Sequence, residues 1–283
     1  MKTITHLSVL FTFFMCHHFY AQQMEGIATY KSQRKMEIKL DSTMNDAMQE
    51  QIRAMLKKQS EKEFTLEFTQ NESRYKEVAK LDNETTLSGG GMQIVVAGNG
   101  GGNDELYKNL KENRYADQVE LFGKEFLIKD TLEKRDWKLE KETKNIGEYT
   151  CFKATYTTTR TVMTAVSSSE DGENKNNEST SEEEVLVTAW YTPQIPVQNG
   201  PSQYHGLPGL ILELNDGSET ILCSKIVLHP EKGISIKEPK KGKEVSDKEY
   251  RAIIEKKMKE MNEQFEGDGR KKEGHQMSIR IGG

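Results

Sequence analysis

Ser202 and His205 stand three residues apart, a hydroxyl and an imidazole that could serve as nucleophile and general base. No Gly-x-Ser-x-Gly elbow frames Ser202, and no acid can be assigned to orient the ring. The pair therefore reads first as a turn serine and an exposed or loop-bracing histidine, with a hydrolase as the most distant of the alternatives. Paired carboxylates could hydrolyse glycosidic bonds, but nothing in the sequence marks any two of the 45 acidic residues as desolvated. Beyond the first 21 residues the histidines are His205, His229 and His275, whose spacing matches no zinc pattern, and the acidic run at 167–184 lacks a calcium-loop signature. No metal and no cofactor is expected. Gly89–Gly91 and Gly98–Gly102 lack the Gly-Lys-Ser/Thr of a phosphate cradle, so 81–105 is read as a flexible glycine-rich loop.

Cys151 and Cys223 lie in strand-like runs, Tyr149–Ala154 and Ile221–Ile226. They either bridge or sit as buried thiols, because the sequence does not supply the Cα separation a disulfide requires. An exported chain would permit the bridge. Export is expected from residues 1–21: Lys2, then an apolar run from Leu7 to Cys16, then Ala21 before Gln22, the plan of a signal peptide cleaved after Ala21. The apolar run is half the length that spans a bilayer, and no later run reaches ~18 residues, so no transmembrane segment is expected. A net charge of −5 argues against a nucleic-acid partner. Hydrophobic residues make up 34% and charged residues 30%, which suits a water-exposed domain with solvated excursions.

The elements that must position these residues are mostly strands. Met36, Ile38 and Leu40 alternate with charged neighbours, as do residues in Phe64–Phe68, and short strands with hairpin-length links run from Val119 to Thr159. Helices are expected at 43–60, with Met44, Met48, Ile52 and Met55 as a core-facing stripe, and at 246–265, opened by the capping box Ser246–Glu249. Residues 167–184 contain nothing that can enter a core and are expected to form a disordered acidic insertion between two strands. Residues 266–283 are expected as a flexible tail. The expected fold is α+β, mainly antiparallel β: one domain over 22–265, a single curved sheet or open half-barrel with two packed helices.

All six prolines follow residue 190, and Pro193, Pro196, Pro201 and Pro208 crowd one segment. Each fixes φ and extends the residue before it, so 193–208 reads as a rigid, specified loop between two strands. Gly206–Ile211, with Gly26–Tyr30, Trp137–Ile146, Cys151–Ala154 and Ala189–Val197, resembles the GLPGLI family of secreted proteins from Bacteroidetes-type bacteria. The resemblance implies a predominantly β domain beyond the inner membrane and brings no agreed activity. The functional expectation is an exported cell-envelope protein, in the periplasm, at the outer membrane or outside the cell, that is non-enzymatic. It would bind an apolar ligand or an outer-membrane protein partner on the sheet, through Trp190, Tyr191, Tyr204, His205, Leu207 and Leu210. An accessory subunit of an outer-membrane receptor or secretion system is the second alternative.

Overall fold

The structure, a computed structural model, describes residues 24–35, 37–39, 46–78, 87–89, 92–94, 104–170, 173–267 and 278–282. The expected leader at 1–21 lies outside these residues. Alternating burial builds the first strand, β1 (Gly26–Arg34), in which Gly26, Ala28, Tyr30 and Ser32 are buried and the residues between them are more exposed. Chain order continues with β2 (Glu37–Lys39), helix α1 (Asp46–Ser60), β3 (Glu61–Phe68) and β4 (Glu72–Glu77). Next come β5 (Leu87–Gly89), β6 (Met92–Ile94), β7 (Glu105–Asn109), β8 (Arg114–Leu121), β9 (Lys124–Thr131) and β10 (Lys138–Ile146). The long pair β11 (Tyr149–Glu170) and β12 (Glu173–Thr192) follows, then β13 (Leu210–Asn215), β14 (Glu219–Leu228), β15 (Lys243–Val245), helix α2 (Asp247–Gly267) and β16 (Ser278–Gly282).

Fourteen strands form one open sheet in the order β15-β9-β8-β7-β4-β3-β1-β14-β13-β12-β11-β16-β2, with β10 also on β11. Every pairing is antiparallel except the short β15–β9 contact. The fold is thus mainly antiparallel β with two helices among the described residues. No helix among them is long and apolar enough to cross a membrane. The α2 capping box is present as read: Ser246 N and Oγ donate to Glu249 Oε2 at 2.8 and 2.9 Å, and Glu249 N donates back to Ser246 Oγ. Tyr250 then packs edge-on against Phe126 of β9, with ring centroids 5.6 Å apart. Met48, Ile52 and Met55 of the expected α1 stripe have side chains outside the described residues, as does Met44 entirely.

Three segments depart from expectation. Residues 167–170 and 173–184 continue the β11–β12 pair: pairing runs without a register shift from Phe152↔Tyr191 to Glu170↔Glu173. A ladder satisfies backbone N–H and C=O groups without needing apolar side chains, and the threonines at 155 and 157–159 favour its extension. In the tail, Ser278–Gly282 pairs with Val162–Val166 of β11. Within 81–105, Leu87–Gly89 pairs with Met92–Ile94 as a separate two-stranded ribbon, and Glu105 already belongs to β7.

A main core runs across the sheet, with a smaller separate cluster of Tyr107, Ala116 and Leu127 against Ile236. Tyr30, Leu66, Phe68, Leu207, Leu210, Ile211 and Leu214 are buried to 1% exposure or less, and each such side chain is worth about 1.5–3 kcal/mol of apolar transfer. Tyr30 satisfies its hydroxyl by donating to Ile211 O at 2.7 Å. Cys151 and Cys223 both line this core as free, buried thiols. Two whole strands, β12 and β13, separate β11 from β14. At about 4.8 Å per strand the Cα atoms stand well beyond the roughly 7 Å a disulfide spans. Burial raises the two thiols to about 11 and about 12, so neither is a ready nucleophile. Without reductant, both cysteines are therefore expected to alkylate on denaturation and to resist iodoacetamide in the native state; an intact mass two hydrogens short, with no labelling, would show a bridge instead.

Candidate functional site

Seventeen residues, 193–209, join β12 to β13, and their path decides the site. The loop closes on itself through backbone bonds: Leu210 N to Ile195 O at 3.0 Å, Gly206 N to Gln198 O at 3.1 Å and Ile211 N to Asn199 O at 3.0 Å. Gly209 is required here, because a Cβ would lie 2.2 Å from Thr192 O. Gly206 holds φ +92° beside the Trp137 ring. No peptide bond is cis among the described residues, so the prolines act through φ and donor loss alone.

The loop is also tied to strands far along the sheet. Asn199, fully buried, accepts from Ser73 Oγ of β4 at 3.1 Å while its backbone carbonyl serves β13. Lys108 of β7 is fully buried as well. Its Nζ donates to Gly200 O at 2.8 Å, Ser202 O at 2.6 Å and Tyr204 O at 3.2 Å. Three N–H groups meet three fixed carbonyls, and among the described residues no carboxylate pairs with this ammonium. Burial first, then the nearby Arg135 charge, pulls the Lys108 pKa well below the usual lysine value.

Arg135 is the second buried cation. Its guanidinium donates to Gln203 O at 2.9 Å and to Tyr156 Oη at 3.2 Å, and lies 5.0 Å from the Tyr204 ring centroid. Beside it Trp137 Nε1 donates to His205 O at 3.0 Å, and the indole meets the Tyr156 ring edge-on at 4.6 Å. These contacts shape an open cleft of about 390 Å³ lined by Arg135, Asp136, Trp137, Lys138, Leu139, Gly206, Leu207 and Pro208. Leu139 is 55% exposed at its rim.

The residues singled out from sequence divide between three places. Tyr204, His205 and Leu207 belong to the loop and back the cleft. Tyr191 and Leu210 are buried in the core, Tyr191 beside Phe152 at 6.2 Å between ring centroids. Trp190 faces the other side of β12, where Lys144 Nζ sits 4.3 Å from its ring centroid and also pairs with Glu213 at 2.7 Å. Ser202 and His205 do not form a dyad. His205 Nδ1 faces Gln203 O at 3.0 Å and Arg135 Nη1 at 3.3 Å, and Ser202 contributes its carbonyl to Lys108 from a φ of +50°. Burial chiefly, with the Lys108 and Arg135 charges adding to it, lowers His205 to about 4. Among the described residues no group of three or more His, Cys, Asp or Glu is placed to hold a metal.

Sequence reasoning missed Lys108, Arg135 and Trp137 as site residues. Lys108 sits between Tyr107 and Asn109 in a strand otherwise buried from Leu106 to Asn109, and a lysine in such a run was the available signal.

Residues 137–213 match the model of a family described as a protein of unknown function (Porph_ging). That span starts at the cleft's indole, includes the whole loop and ends in β13. The match agrees with the uncharacterised standing implied by the resemblance, but its name is not GLPGLI. No curated protein matches this chain. Among solved structures it is similar to PNGF-II in two crystal forms. The C2 form has a TM-score of 0.44 and 15% identity over 82% of this chain and 32% of that one. The P21 form has 0.45 and 14% over 82% and 33%. The chain spans about a third of the length of those structures.

Lys108→Met leaves three carbonyls without their donor and is expected to cost about 3 kcal/mol, read by denaturant unfolding, with amide exchange quickened at 204–206. Unchanged stability would show that the ammonium does not hold the loop. Folding lowers the His205 pKa, so the unfolded chain takes up that proton first as pH falls. Its contribution is complete above 6.5 and is lost toward about 4. His205→Gln should flatten the melting temperature against pH across that window, whereas parallel wild-type and variant curves would place the imidazole in solvent.

Proposed function

We propose that this chain is a non-enzymatic binding module that holds a protein partner at the cleft between Trp137 and Pro208. One observation carries the reading: the cleft is open to solvent while its loop wall is tied down by donors from Lys108 and Arg135. The loop wall is pinned by Lys108 and Arg135 from beneath, and the rim carries an exposed Leu139 beside Trp137. A prearranged apolar–aromatic patch with charged flanks is the composition of a protein-docking surface.

Catalysis has less support. The imidazole and the Ser202 carbonyl are both engaged inward, and Asp136 and Lys138 are surface charges at the cleft rim. A purely apolar ligand on the sheet has less support as well, since Tyr191, Leu207 and Leu210 pack into the core beneath the protein's own loop. In this reading the sheet curls as an open half-barrel around that loop, the leader sends the chain to the cell envelope, and Gly206–Ile211 keeps its GLPGLI likeness.

A photo-crosslinking residue at position 139, in cells of the native host, is expected to yield one discrete protein adduct, and the same residue at exposed Leu222 none. An empty position 139, or identical adduct patterns at both positions, overturns the reading.

A further inference from the structure

The inference rests on the cleft reading and concerns how the partner binds. β10 is joined to the sheet along one edge. It pairs β11 from Lys138↔Thr155 to Ile146↔Tyr149, and its other edge has no strand partner among the described residues. Unpaired N–H and C=O groups on such an edge are a template for another chain. Between Leu139 and Thr143 the register slips, so that Glu140, Lys141 and Glu142 lie opposite the single Lys153. A bulge of this kind bends a strand and re-aims its side chains. Past it, Thr143 to Ile146 pair regularly with Phe152 to Tyr149.

The charges on β10 are unequal in their partners. Glu140 and Glu142 are both engaged by Lys153, at 3.3 and 3.0 Å, and Lys144 by Glu213. Lys138 and Lys141 are exposed, and neither has an ion pair among the described residues. The edge therefore presents a row of main-chain groups, a positive bias and, at its start, a cleft in which Trp137, Leu139 and Pro208 stand beside Arg135, Asp136 and Lys138.

We propose that β10 accepts an added strand: an extended, acidic segment of the partner pairs main chain to main chain along Thr143–Ile146, meets Lys138 and Lys141 with carboxylates, and seats one large apolar side chain in the Trp137–Pro208 cleft. Main-chain pairing gives such a complex its register, and the cleft and lysines give it selectivity. A second copy of β10 fits less well. An antiparallel register that sets Glu140 against Lys144 also sets Glu142 against its own symmetry mate, a like-charge contact, and both outer groups already have partners.

The test pans a displayed library of random linear peptides, about twelve residues long, on the purified protein. Selected peptides are expected to be acidic with one aromatic or large aliphatic residue. The strongest, made synthetically, should slow amide exchange within Thr143–Ile146 and bind more weakly as salt rises. A Lys138→Glu, Lys141→Glu double variant should lose about tenfold in affinity with its melting temperature unchanged. Neutral or basic binders, or a bound peptide that leaves β10 amides unprotected, overturn strand addition while the crosslink at position 139 still stands. Protection of the same amides in a peptide-free dimer would assign the edge to a second copy and overturn the proposal. A library that yields no binder, together with an empty position 139, overturns both.

Discussion

A lysine ammonium buried without a carboxylate is costly unless every N–H is met, and in this protein Lys108 is met by three carbonyls of one loop. The arrangement works in both directions. The carbonyls must hold still to solvate the charge, and the charge holds them still. Gly200, Ser202 and Tyr204 can present their oxygens to one point only because Pro201 sits between the first two and a turn, Tyr204 N to Pro201 O at 3.1 Å, closes over Ser202. The loop is thus fixed from below by electrostatics and along its length by stereochemistry. Arg135 repeats the device one layer outward, giving its donors to Gln203 O and Tyr156 and its flat face to Tyr204.

The cleft is a consequence of that anchoring. Trp137 lies against the loop through His205 O and against β11 through Tyr156, so its indole cannot swing into the space it borders. Gly206 keeps the opposite wall close to the ring. Binding at a wall that is already ordered avoids the entropy of ordering it. Trp190 serves the other face of the same hairpin, bracing Lys144 and through it Glu213. The two tryptophans therefore have separate duties: Trp137 precedes β10 on one side of β11, and Trp190 stands in β12 on the other.

Much of the fold was legible. Period-2 burial in β1, β3 and β4 follows the alternation in the residues, the capping box opens α2 where Ser246 and Glu249 place it, and the proline cluster is the rigid connector that its chemistry demands. The β11–β12 extension was not legible, because a polar Ser, Asn and Glu run looks unfoldable when judged by core-forming residues alone; ladder hydrogen bonds are indifferent to that criterion. The tail strand at 278–282 does alternate, through Ile279 and Ile281, but it is short and its partner Val162–Val166 lies more than a hundred residues away.

The sequence by itself determined a mostly antiparallel chain and a stiff, glycine- and proline-set loop between two strands, since φ restriction, alternation and capping are local properties. It also determined that Cys151 and Cys223 would sit in strands. Only the tertiary structure decided where the loop rests, that two strands keep those cysteines apart, and that Lys108, about ninety residues before the loop, would be buried beneath it. Side-chain burial and the meeting of charges with carbonyls depend on which distant strands become neighbours, and local residue patterns carry no record of strand order.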